Sequence, residues 1–182
     1  MKEKELIAIV LTFDKKFNKE LINLWKVLDK KFNINYIGSH SSKPHITLLS
    51  GHIFDFFKLK KVLEKKKYFS FSLTSPGIAI FAKKLNPLIY IRWKLSNDLL
   101  NIYKEIYKNT ARIFSDLSEN TEFSLWVPKT TIAYKDFGYK KLNFILKEIY
   151  KINFKKKIDI KKLEVMKISS RGEKIIYSYN LL

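Results

Sequence analysis

The sequence predicts an α+β fold built from two similar halves, and three observations carry that reading. Apolar residues recur at helical spacing in four separate windows. Short apolar or alternating runs, read as strands, lie between those windows. Two of the runs, Pro44–Leu48 and Pro128–Ile132, share one pattern of residue types in matching contexts. A length of 182 residues fits one domain of two lobes spanning 1–182. Five glycines and four prolines, thinly spread, mark no linker.

Each element has its own justification. Leu6–Thr12 is apolar throughout and reads as a buried first strand. Phe17, Leu21, Leu24, Trp25, Leu28 and Phe32 then recur every three or four residues, as on one face of a helix. Pro44–Ser50 is rich in β formers and ends at Gly51. Asp55 is placed to cap a helix with Phe56, Leu59 and Leu63 inward. Phe69–Phe81 reads as strand, interrupted near Pro76-Gly77. Pro87–Leu95 is another, with Ile89, Ile91 and Trp93 on one side. Ser96 caps a helix whose inner face is Leu99, Ile102, Tyr103, Ile106 and Ile113. Leu125–Tyr134 is a strand carrying Pro128. A fourth helix uses Leu142, Ile145, Leu146 and Ile149. The tail is two strands, Ile158–Ile168 and Lys174–Leu181, joined by a turn at Ser170-Arg171-Gly172. The order is βαβαββ followed by αβαββ.

Composition narrows the function classes. Hydrophobic residues make up 46% and aromatics 15%, enough to bury a core, which excludes a disordered chain. The absence of cysteine excludes disulfides, a thiolate nucleophile and cysteine-ligated metal, and is compatible with a cytoplasmic setting. The longest apolar run, Leu6 to Phe13, is too short to span a bilayer, so no membrane partner is expected. Glu3 and Glu5 spoil it as a signal peptide.

The charge is +19, from 36 basic and 17 acidic residues, but only Arg92, Arg112 and Arg171 are arginine. A lysine-coated surface accounts for most of it, since base- and phosphate-reading surfaces favour the arginine fork. The field still attracts polyanions, so nucleotide or nucleic acid is the expected partner class. No Walker loop and no serine nucleophile elbow occur. Three histidines without acidic partners at ligand spacing make a metal site unexpected, and no cofactor is expected.

One constellation carries chemistry. Pro44-His45-Ile46-Thr47-Leu48 and Pro128-Lys129-Thr130-Thr131-Ile132 each run proline, a basic or titratable residue, a spacer, threonine, then an apolar residue. On a strand, residues i and i+2 face the same way. His45 and Thr47 therefore point together, and so do Lys129 and Thr131. Facing each other across a groove, the two pairs would offer a phosphate hydroxyl donors and cationic or titratable groups from both sides.

With these motifs the chain resembles the 2H phosphoesterase superfamily, the group that includes the 2'-5' RNA ligases. The resemblance rests on Pro44–Leu48 with the later Gly51, on Trp126–Ala133, and on Met166–Gly172 followed by Tyr177. It implies a bilobal α+β fold with a concave antiparallel sheet and flanking helices in each lobe. It also implies metal-independent cleavage of 2',3'-cyclic or related phosphodiesters on nucleotides and RNA ends, one histidine acting as base and the other as acid.

This sequence departs from that pattern at Lys129, where the family has its second histidine. Imidazole suits proton transfer near neutrality, whereas an unperturbed lysine titrates near 10.4. Two readings follow. In one, His45 is the general base, Lys129 the acid or electrostatic clamp, and Thr47 and Thr131 orient the phosphate. In the other, the groove is kept and the protein binds a cyclic or 2'-5'-linked nucleotide without turning it over. Either way the expected protein is a monomer.

Further ligand contacts are expected from residues near these motifs. His40 lies in Gly38-Ser39-His40-Ser41-Ser42, read as a flexible polar loop. Tyr36 and Tyr134 flank the motif strands and offer faces on which a base can stack. Arg92, on a predicted strand, and Arg171, in the closing hairpin, are placed to reach phosphate. His52, after Gly51, reads as structural.

Overall fold

The computed structural model describes residues 4–41, 43–82 and 84–182; Glu3 and Ser42, used above, lie outside the described residues. The chain opens with β1 (Glu5–Thr12) and α1 (Lys15–Phe32). The α1 helix starts where the Asp14 carboxylate accepts the Phe17 N–H at 2.8 Å, and it ends at Asn33, whose φ of 55° is left-handed. Its apolar stripe, Phe17, Leu21, Leu24, Trp25 and Leu28, is buried. Full burial of each such side chain is worth about 1.5–3 kcal/mol.

A short helix, α2 (Tyr36–His40), and β2 (His45–Ile53) follow. Then come α3 (Phe56–Glu64), capped by Asp55, β3 (Phe71–Thr74), β4 (Gly77–Phe81) and β5 (Leu88–Arg92). Ser96 caps α4 (Asn97–Thr110), which leads into β6 (Phe114–Leu117) and β7 (Lys129–Ala133). The chain closes with α5 (Tyr139–Ile149), β8 (Lys157–Ile160), β9 (Lys162–Ser169) and β10 (Gly172–Asn180).

The strands form two antiparallel assemblies. The first sheet has the order β10-β9-β1-β2-β6. The second holds β4-β5-β7, and the β3-β8 pair joins its end, where the Lys94 N–H donates to the Thr74 carbonyl at 2.9 Å. Helix α4 lies beside α3 and reaches β2 and β3, while α1 lies beside α5 and reaches β7. The fold is thus α+β and two-lobed, as expected.

Alternation sorts the strand residues between core and cleft. On β1, Ile7, Ile9 and Leu11 enter the main core, while Ala8 and Val10 join Met166 in a separate small cluster on the opposite face. Val10 pairs with Thr47 and Thr12 with His45, so both motif residues share the Ala8 face. A bulge at this point sends Leu48 and Leu49 into the same core. In the second sheet Ile89, Ile91, Trp93, Thr130 and Ile132 are buried, which leaves Lys129 and Thr131 on the other face.

Candidate functional site

The two motif strands meet where the lobes meet. Thr130 Oγ1 on β7 donates to the backbone carbonyl of His45 on β2 at 2.9 Å, and Trp126 Nε1 donates to the carbonyl of Thr47 at 2.8 Å. These two bonds hold the strands side by side across the seam. His45, Thr47, Lys129 and Thr131 all line one cleft of about 290 Å³ formed there. That volume lies at the lower end of ligand sites.

The His45 ring is oriented by its own loop. Its Nδ1 lies 2.9 Å from the Lys43 carbonyl oxygen. A carbonyl only accepts, so in the neutral ring the hydrogen sits on Nδ1 and Nε2 carries the lone pair. The Glu173 carboxylate stands 3.9 Å from the same Nδ1 and accepts from Ser41 Oγ at 2.7 Å. The loop is held a second time by Lys43, whose ammonium pairs with the buried Glu164 at 2.8 Å. Ser178 on β10 also donates to Glu164, at 3.1 Å. Two carboxylates of the C-terminal hairpin thus fix the segment that fixes the histidine. Sequence reading missed both; their one signal was being acids in so basic a chain.

Aromatic groups close one side of the cleft. Tyr36 and His40 both line it and stack on each other, with ring centroids 4.6 Å apart. Gly38, Ser39 and His40, the first part of the segment expected to be a flexible loop, belong instead to α2, with His40 as its last residue. The cause lies far along the chain: the Asp136 carboxylate accepts the Asn35 and Tyr36 N–H groups, each at 2.6 Å. Next to it, Lys135 Nζ donates to Tyr36 Oη at 2.8 Å, and that hydrogen bond pushes the Lys135 ammonium pKa up. Gly172 at the hairpin turn (φ 114°) packs against α2, where a Cβ would stand 2.8 Å from the His40 carbonyl oxygen. The cleft is completed by Ser118, Asn120 and Thr121, which follow β6 and were not anticipated.

The remaining expected contacts lie elsewhere. Tyr134 meets Tyr36 edge to face, at 6.3 Å, and is outside the residues lining the cleft. Arg171 is exposed at the tip of the hairpin, outside the residues lining the cleft. Arg92 lines a different cleft, on the far side of Trp126 and Val127. His52 lies within β2 and bonds Asp116 on β6 at 2.9 Å; that bond lowers the Asp116 pKa. Among the described residues no cluster of histidine and carboxylates could hold a metal ion, and no helix is long and apolar enough to cross a membrane.

No protein-family model and no curated protein matches this chain by sequence. Solved structures match its fold over nearly its whole length. Escherichia coli LigT in apo form superposes with a TM-score of 0.63 at 12% identity, covering 98% of both chains. LigT complexed with 3'-AMP gives 0.63 at 11% over the same shares. The protein TT0787 of Thermus thermophilus gives 0.63 at 10%, covering 97% of each. A protein described as a phosphoesterase gives 0.60 at 10%, covering 97% of this chain and 98% of that one. The two-lobed α+β fold that the resemblance implies is therefore the fold adopted: this chain has the architecture of LigT.

Proposed function

We propose that this protein is a phosphoesterase of the 2H type, acting on a 2',3'-cyclic or 2'-5'-linked phosphodiester of a nucleotide or RNA end. One observation carries the reading: His45 and Thr47 from one sheet, and Lys129 and Thr131 from the other, line a single cleft. Two similar structures, of LigT with 3'-AMP and with phosphate, support a nucleotide ligand.

The chemistry follows from the side chains. With Nδ1–H held by the Lys43 carbonyl, His45 Nε2 takes a proton from water as the water oxygen forms its bond to phosphorus. The bond from phosphorus to the ribose oxygen breaks, and the Lys129 ammonium gives that oxygen a proton. Thr47 and Thr131 hydroxyls donate to the non-bridging oxygens, where negative charge gathers. Glu173 faces the imidazolium formed during the step.

A second reading keeps the cleft and drops the turnover. Lys129 favours it, because an ammonium holds a phosphate well but is a poor proton shuttle near neutrality. The protein would then retain a cyclic or 2'-5'-linked nucleotide as a sensor or sponge.

One experiment separates them. The protein is incubated with 2',3'-cyclic nucleotides, 2'-5' oligoadenylates, cyclic oligonucleotides and short RNAs ending in cyclic phosphate. Each mixture is chromatographed before and after heat denaturation. Product beyond one equivalent, lost in His45→Ala, supports the enzyme. A ligand that disappears from solution and returns intact on heating supports the binding protein. If every ligand stays free and unaltered, both readings fall.

A further inference from the structure

We infer that the cleft beside Arg92 is a second nucleotide subsite, one that holds the residue of a strand next to the nucleotide in the first cleft. This rests on the phosphodiester reading above and specifies its substrate. Arg92 pairs with Lys129 in the β5–β7 ladder. Directly opposed residues share a face, with Cβ atoms about 4.5–5.5 Å apart. Lys129, which lines the first cleft, therefore stands beside an exposed arginine on the same side of the sheet. Like charges set opposite each other destabilise a sheet. An anion lying along the pair offsets that repulsion.

Arg92 opens into its own cleft of about 470 Å³. Lys94 brings a second cation to it, Pro76, Leu95, Val127 and Pro128 give it apolar walls, and among the described residues none that line it is acidic. Trp126 and Val127 line both clefts, so the two adjoin along one short segment. The first cleft, at about 290 Å³, lies at the lower end of ligand sites, and a strand continuing from it meets cationic and apolar surface in the second. Two long basic side chains on neighbouring strands suit successive phosphates of one backbone, and the apolar walls suit a base or sugar. Arg92 also fits the composition, since arginine is scarce here and its fork suits phosphate.

The test compares adenosine 2',3'-cyclic monophosphate with the dinucleotide ApA and a tetra-adenylate, both ending in 2',3'-cyclic phosphate. The readout is kcat/KM where turnover occurs, and Kd where ligand is returned intact. The expected result is a preference of about tenfold or more for the RNAs. That preference collapses in Arg92→Ala, weakens in Lys94→Ala and is partly kept in Arg92→Lys. The slope of log affinity against log salt for the tetra-adenylate falls by about 0.7 in Arg92→Ala, the loss of one single-strand phosphate contact. Arg92 is exposed, so circular dichroism should find the variants folded. A preference that survives Arg92→Ala overturns the subsite. So does a wild-type protein that handles the mononucleotide and the RNAs alike, leaving the phosphodiester reading intact. A protein that neither binds nor alters any of the three overturns both.

Discussion

The buried hydroxyl of Thr130 joins the two lobes at the site itself: it accepts Trp93 Nε1–H at 2.9 Å and donates to the His45 carbonyl at 2.9 Å. Trp93 is fully buried, so its indole N–H has no water to turn to. Thr130→Val keeps the shape and removes both bonds. Leaving a buried polar group unsatisfied costs about 1–3 kcal/mol. Urea unfolding should register a loss of that size, with Thr130→Ser losing less. Ligand affinity should fall with it, because the strand carrying His45 loses its cross-lobe tie. Equal stability for the valine and serine variants would remove this role.

Gly51 is required by contact rather than by backbone angle. A Cβ there would stand 2.0 Å from the Asp116 carbonyl oxygen, where β6 lies against β2. Overpacking of this kind costs about 1–3 kcal/mol. Gly51→Ala should lower the thermal midpoint and loosen the segment after β6 that contributes Ser118 and Thr121 to the cleft. A midpoint unchanged by the substitution would contradict this.

Alkaline stability follows from the tyrosines. Burial pushes the Tyr103 phenol up to about 12 and lifts Tyr68 well above the ordinary range. Burial also raises Tyr90, against the lowering effect of Arg92, and Tyr177, which Glu64 raises further. The unfolded chain releases these protons near 10, the folded one later. Their contribution is thus complete below about pH 10 and lost as pH rises toward about 12. Absorbance at 295 nm should resolve an early group of tyrosines and a late group that ionises with the loss of far-ultraviolet dichroism. A single step near pH 10 with the fold intact would overturn this.

Lys129 decides between turnover and binding, and restoring an imidazole tests it. Lys129→His returns a group that exchanges protons near neutrality, and a placed acid–base residue contributes about 10²–10⁴-fold. The variant should turn over a 2',3'-cyclic RNA end at least tenfold faster than the wild type, while Lys129→Ala binds it more weakly. A histidine variant no faster than the alanine one would mean that this position takes no part in proton transfer.

Much of this architecture was legible in the residues, and the parts that were not have a common cause. The α1, α3 and α4 starts carry local caps, Asp14, Asp55 and Ser96, each bonding the N–H three residues on. The strand at Pro44–Ser50 was legible from its β formers, and the likeness of its motif to Pro128–Ile132 pointed to a matching strand in the other half. Helix α2 was hidden because its cap, Asp136, lies about a hundred residues away. Strand β6 is short and half polar, and depends on Gly51 allowing close approach. Glu164 and Glu173 were invisible for the same reason: what makes them matter is the tertiary approach of β9 and β10 to the loop before His45.

The most direct test is whether Thr47 and Thr131, from different lobes, hold the same phosphate. Calorimetric titration of whichever nucleotide the panel retains should be run on wild type, Thr47→Val, Thr131→Val and the double variant, in a His45→Ala background if the ligand is consumed. Both hydroxyls on one phosphate predict a coupling of about 0.5–3 kcal/mol between the two substitutions. Strictly additive losses, or no loss from either, would mean that the phosphate does not lie between the two strands.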